Sequence, residues 1–439
     1  ARARPNCAQR AHRGGHRTRP RAGGERVNGI AFLLGLLVLA YVGSILVGGR
    51  AIRGFGLASG AEYLVLGFVL GPQVLSVVNH SLIETFQPVV LVGVSWLGLV
   101  LGVSYLRVGV RAVPTKHVLL GVALSAVVSA GVSAAVLLAA QHFTKLPRAE
   151  QIAFAAVAGL VCSETTRHSV RWVAERHGAK GRLADLAADT ARASSLFACV
   201  ALSVVNAWLP GAALPAFSVL GRVGVTIGLG VVLGFTATLL LGREFRRDES
   251  WGILLGTSLL GTGAAARLNL SPITATFAMG LTLAIVSRHR LDIKAMVTPT
   301  EKPVLLPVIL LAGAYVNVKL PAMLWFLVAG ALGVKVLARL LCGAVVSIGP
   351  SARGVGLEFG VGMLSAGALG LAIALAFVVR HPGAVSDAVL LLAALGVLIG
   401  EWLGPAALRR ALTLTGEIQP EEPPPPSPRP DASSLEGRV

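Results

Sequence analysis

The sequence predicts an all-α polytopic membrane protein with about thirteen transmembrane helices, and three observations carry that prediction. Hydrophobic residues fill 54% of the 439 positions and charged ones only 14%, an apolar share too high and a charge too low for a soluble domain. Apolar runs of about 20 residues recur along most of the chain, the length a helix needs to cross a hydrocarbon core. The runs lack the alternation of barrel strands, so helices, and not a β-barrel, satisfy the backbone in lipid. The 52 glycines and scarce aromatics suit helices that approach one another closely.

The same composition excludes several function classes. A formal charge of +18 would suggest nucleic-acid binding in a soluble protein, but the basic residues sit mostly in loops between apolar runs, where topology explains them. Cys7, Cys162, Cys199 and Cys342 show no paired spacing, so neither a disulfide framework nor a zinc site is expected. No phosphate loop, nucleophile triad or metal-ligand spacing appears, and an enzyme, a metal or a cofactor is not expected.

In chain order, residues 1–26 hold eight arginines, one acid and no apolar stretch, a segment that cannot fold alone. The expectation is a basic leader, disordered or untranslated, with Val27 as initiator; a basic targeting presequence is the rival. A transmembrane domain over 27–412 follows. Its spans are placed near 28–49, 59–78, 86–106, 117–141, 150–166, 186–208, 216–241, 251–267, 270–287, 303–317, 321–348, 355–379 and 386–408. Residues 28–208 form a first group of six, 216–241 a linker helix and 251–408 a second group. Residues 413–439, with the run Pro423 to Pro426, read as a disordered tail.

Orientation follows from the asymmetry of Lys and Arg between alternate loops. One set carries, among others, Arg107, Arg111, Lys116, Arg171, Arg176, Lys180, Arg246, Arg247, Lys294 and Arg409. The other carries only Lys145, Arg148, Arg267, Lys319 and Arg380. The first set is therefore placed in the cytoplasm, with the N-terminus outside, the C-terminus inside and the chain in an inner membrane. Eight arginines beside the first span would oppose that orientation, which favours the start at Val27.

An ionisable group within a span costs about 2.5–3.5 kcal/mol and is a functional candidate by default. The candidates are Glu164, Asp189, Arg192, Lys335, Arg339, Glu358 and Glu401, with Asp185 at the start of a span. In the fifth span Ser163-Glu164-Thr165-Thr166 interrupts an apolar helix with hydroxyls able to bond freed backbone groups. In the twelfth, Ser365, Gly367 and Gly370 weaken the helix near its middle. The two interruptions hold matching places in the two groups of six, the pattern of paired broken helices in inverted-repeat transporters. Small residues that merely aid packing are the alternative for either break alone. Glu358, Glu401 and Arg339 read as groups that reach water or a loop partner, and His168 as a solvated loop histidine.

The order of segments resembles the cation/proton antiporter family. Tyr63 to Pro72, with Gly67, Gly71 and Pro72, is similar to the family's early glycine-proline segment, and Leu270 to Leu281 to a later one centred on Phe277 and Gly280. Lys302 to Gly313 resembles the segment that follows it. The resemblance covers roughly residues 28–412 and lies in the order of these motifs.

That resemblance implies two inverted six-helix repeats, broken crossing helices five and twelve, a core bundle, and a separate panel that pairs two copies into a homodimer. It implies exchange of sodium or potassium for protons by alternating access. The family's essential acid falls on Asp189 and its polar neighbour on Ala188, while its Thr-Asp pair falls on Thr165 and Thr166, so two usual polar groups are missing. Ser163 and Glu164 complete the expected ion site, Glu164 supplying the charge missing at Thr166, and Lys335 falls near the family's basic residue. Arg192, three residues after Asp189, could pair with it. Two alternatives stay open: a carrier of the same fold for an organic anion, and a non-transporting relative with a degenerate site.

Overall fold

The structure, a computed structural model, describes residues 60–78, 80–105, 114–209, 217–242, 246–349 and 352–418. The expected first span, the leader and most of the Pro-rich tail lie outside the described residues. Every described residue in a regular element is helical. The elements are α1 (Ala61–Leu70), α2 (His80–Tyr105), α3 (Thr115–Phe143), α4 (Arg148–Ser163), α5 (Arg167–Arg176), α6 (Arg182–Trp208), α7 (Val219–Leu240) and α8 (Arg247–Arg267). They continue with α9 (Pro272–Val286), α10 (Arg290–Val297), α11 (Glu301–Tyr315), α12 (Ala322–Val346), α13 (Gly356–Gly362), α14 (Ala368–Arg380) and α15 (Ala384–Leu414). Seven of these stretches, one of them α10 and α11 together, are long and apolar enough to cross a membrane, and α1, α9 and α14 are shorter apolar helices. The chain is a multi-pass helical membrane protein.

Each expected span from the second to the thirteenth has its helix, and the differences lie at the ends. The fifth stops at Ser163 because residues 164–166 leave helical geometry, and the chain resumes as α5. The twelfth divides into α13 and α14 around residues 363–367. The last helix runs beyond 412 to Leu414, and Ile418 is buried. Residues 413–418 are therefore ordered, contrary to the expected start of the tail. They are held because the Glu417 carboxylate accepts from the backbone N–H groups of Leu183 (2.7 Å) and Ala184 (2.9 Å), which no residue of α6 itself caps.

The helices pack as two groups. A panel gathers α1, α2, α7, α8, α9 and α11, and a core gathers α3 to α6 with α12 to α15. Glycines set the closest approaches in the panel: Gly102 of α2 faces Gly280 of α9, and a side chain at either would strike the other helix's backbone. Trp96 stacks on Trp251 with ring centroids 5.8 Å apart and donates its Nε1–H to Thr300 Oγ1 at 2.8 Å. In the core, Gly159 packs against Ser133, whose hydroxyl donates to Ala155 O at 2.9 Å. The two groups meet where α6, α14 and α15 of the core pack on α1, α2, α7, α9 and α11 of the panel.

Candidate functional site

The two unwound segments of the core lie against each other. Helix interruption frees backbone groups that hydrocarbon cannot satisfy, and here each segment supplies partners for the other. Thr166 N–H donates to Ser365 O at 2.8 Å, and Thr165 Oγ1 donates to Met363 O at 3.0 Å. Gly367 N–H donates to Glu164 Oε2 at 2.7 Å. Ser163 Oγ turns back to Leu160 O at 2.7 Å, and Thr166 Oγ1 caps α5 by accepting from His168 N. Gly367 has to be glycine for reasons of space, since a Cβ there would sit 2.6 Å from Thr166 Cβ and 3.1 Å from Glu164 Oε1. Gly370, on the next turn, borders the same carboxylate, and a Cβ there would meet its Oε2 only at an ordinary contact distance of 3.5 Å.

Charges match the helix ends that meet here. The N-termini of α5 and α14 bring partial positive charge, and Glu164, only 2% exposed, stands at the start of α14. The C-termini of α4 and α13 bring partial negative charge. Arg339 of α12 answers one of them by donating Nη2–H to Ser163 O at 2.6 Å. Lys335, one turn earlier on the same face, is also buried and lies against Gly396 of α15. Arg339 thus does not reach for the membrane edge as expected, because the carbonyls at the break need a donor.

The expected ion-site residues do not all meet. Ser163, Glu164, Thr165, Thr166, Ser365, Gly367 and Gly370 converge at the crossing, with Lys335 and Arg339 behind them. Asp189 does not join them. The residue of α6 that faces the break is Ser194, whose hydroxyl accepts from Thr165 N at 3.1 Å and lies 3.2 Å from Thr165 O. Asp189 is five residues earlier, about 7.5 Å along the axis. There its buried carboxylate lies 3.0 Å from His117 Nδ1 of α3 and 3.4 Å from Arg192 Nη1. Both partners reach the surface, with side chains 28% and 23% exposed.

Several participants escaped sequence reasoning. Glu301, at the start of α11 in the panel, is clasped by Arg167 Nη2 at 2.7 and 2.9 Å and lies 3.0 Å from His168 Nε2, both on α5 of the core. His168 is therefore paired, though its side chain stays 28% exposed. A cavity of ≈ 20 Å³, room for about one water molecule, touches Glu164, Ser195, His168 and Glu301. Glu401 also differs from expectation: it is buried and accepts from Ser169 Oγ at 2.5 Å. Glu358 stays near the surface, 3.8 Å from Arg410. The fifth residue after an expected acid and a glutamate at a loop's end carry no distinctive signal, which is why Ser194 and Glu301 were missed.

No protein-family model matches the sequence, and no curated protein matches it. Among solved structures, the chain is similar to the sodium proton antiporter MjNhaP1 from Methanocaldococcus jannaschii at pH 8, with a TM-score of 0.66 and 14% identity over 89% of this chain and 99% of that one. An electron-microscopy map of the same antiporter gives a TM-score of 0.65 and 18% identity with the same coverage. At such identity the likeness is one of architecture, and the chain has the sodium/proton antiporter fold.

Proposed function

We propose that the chain is a secondary transporter that exchanges a monovalent cation, sodium or potassium, for protons by alternating access. The observation that carries this reading is the Glu164 carboxylate, buried where two unwound segments cross and bordering a water-sized cavity. A carboxylate in that setting can hold a proton or a cation, and the two compete for it. The hydroxyls of Thr165, Thr166, Ser194 and Ser195 and the freed carbonyls of the crossing are oxygen donors suited to an alkali cation. Lys335 balances the charge when the carboxylate is ionised and empty. One competing carboxylate gives one-for-one exchange.

The fold likeness to a sodium/proton antiporter supports the class of reaction. Arg192, engaged with Asp189, is poorly placed to recruit an organic anion to the crossing. In this reading the paired breaks are the product of two inverted repeats, and the panel pairs two copies into a homodimer in an inner membrane with the C-terminus in the cytoplasm.

The test uses purified protein in liposomes with a trapped pH dye and an imposed proton gradient. Addition of sodium or potassium should collapse the gradient, and Glu164→Gln should abolish the response. A chain that stays silent with every monovalent cation overturns the proposal and leaves the non-transporting relative.

A further inference from the structure

A second cavity, of ≈ 150 Å³, lies elsewhere along the interface between core and panel. Leu91 and Ile273 wall it from the panel, and Val157, Leu202, Ile373 and Phe377 from the core. Val157 precedes Glu164 by seven residues, about 10 Å along a helix axis, so this space is distinct from the crossing. A single charged side chain lines it, that of Arg380 at the end of α14.

The partners of that guanidinium are unusual. Its Nη2 donates to Leu270 O at 3.2 Å and to Asn269 Oδ1 at 3.4 Å, both neutral acceptors. Among the described residues, Nε and Nη1 have no hydrogen-bond partner, and no carboxylate lies within 4.0 Å. A guanidinium presents five donors in a fork that matches a carboxylate, and most of that fork is unused. Asn206 adds one more polar group to the wall.

Sign and size together select an occupant. A cation is repelled by Arg380, and a neutral apolar molecule makes no use of its free donors, which are not fully buried. An anion with an apolar body answers both. Apolar cavities of this volume admit a molecule about as large as benzene. We propose that the cavity binds a small apolar monocarboxylate, its carboxylate on Arg380 and its apolar body wedged between core and panel. The occupant touches both groups of helices, so in an alternating-access cycle it resists their movement; that consequence rests on the exchange reading, whereas the binding does not.

The probe is radiolabelled benzoate, equilibrated with the purified full chain in detergent, with unlabelled benzyl alcohol as the uncharged competitor. The expected result is saturable binding of one benzoate per chain with a dissociation constant below about 1 mM. Arg380→Gln should weaken it at least tenfold, and Arg380→Lys should restore part of the loss. Ala376→Phe, which fills the cavity and keeps the guanidinium, should abolish it, with the melting temperature of each variant reporting that the fold is retained. Absence of saturation, unchanged binding to Arg380→Gln, or benzyl alcohol competing as well as unlabelled benzoate would each overturn the proposal. Binding is read without transport, so failure of the gradient assay and failure of this one are separate results.

Discussion

Glu164 and Asp189 are equally buried acids, each 2% exposed, and they differ in what holds them. Glu164 is held by a backbone N–H at the start of a helix, at a place where the chain has given up its own hydrogen bonds. Its neighbours are fixed dipoles, hydroxyls and two buried cations one helix away. Asp189 stands in an unbroken helix between the side chains of His117 and Arg192, both of which reach the surface. Under the proposed exchange, then, burial alone does not tell the two acids apart. The separation lies in the partners: an acid fixed by two cationic or ionisable side chains must shed them before it can take a metal ion, whereas one fixed by backbone can exchange ligands in place.

The largest expected effect tests that contrast directly. In the liposome assay Glu164→Gln should fall to the background of empty vesicles, while Asp189→Asn should keep a clear cation response, since the proposed exchange does not use that carboxylate. Its cost should appear instead as a lowered melting temperature, because removing one partner of a buried pair costs up to about 3–5 kcal/mol. The reverse ranking would transfer the site to α6. Next in size is Gly367→Ala. Its new methyl meets Thr166 and the Glu164 carboxylate, and forced overpacking costs about 1–3 kcal/mol. A lowered melting temperature together with at least a tenfold loss of exchange is expected, since the same displacement moves the carboxylate. A comparable change with no Cβ conflict, Gly131→Ala on α3, should leave both measurements unchanged.

How much of this was legible in the sequence follows the same contrast. The spans were visible because twenty-residue apolar runs have few physical outcomes, and the breaks because Ser163, Thr165 and Thr166, with Glu164, end one long apolar stretch and Ser365 and Gly367 interrupt another. The position on α6 that faces the break was not legible. Register along a helix is set by how it packs, and an acid at Asp189 looked more like an ion ligand than a serine at Ser194. The Arg167–Glu301 clasp was hidden for a related reason: its members lie more than a hundred positions apart, at ends of helices where charged residues are ordinary. Arg339 was misread because the acceptor it satisfies, Ser163 O, belongs to another helix.

A smaller effect sharpens the picture of the crossing itself. Thr165→Val keeps the shape of the side chain and removes the hydroxyl that donates to Met363 O. The loss is about one hydrogen bond, of the order of 1 kcal/mol, with the orphaned carbonyl adding to it. Thermal unfolding in detergent should show a modest decrease. If the hydroxyl also helps to hold the ion, the apparent affinity for the cation falls with it, whereas a purely structural hydroxyl would change stability alone.

The smallest effect lies outside both acids and serves as their control. His381 follows α14 in a loop, tilted against Phe377 at 5.3 Å. Partial burial, and then the neighbouring Arg380 guanidinium, push its imidazole below the ordinary value of 6.5. The sign follows from linkage: the folded chain disfavours the proton more than the unfolded chain does, so stability is full above the unfolded value and is lost as pH falls through the folded one. His381→Gln should remove a small part of the decrease in melting temperature between neutral and mildly acidic pH. Arg380→Gln should leave the burial but raise the imidazole's midpoint, measured by NMR with labelled histidine. A midpoint unmoved by Arg380→Gln would mean that burial alone displaces His381, and the loop would no longer report on the charge at the end of α14.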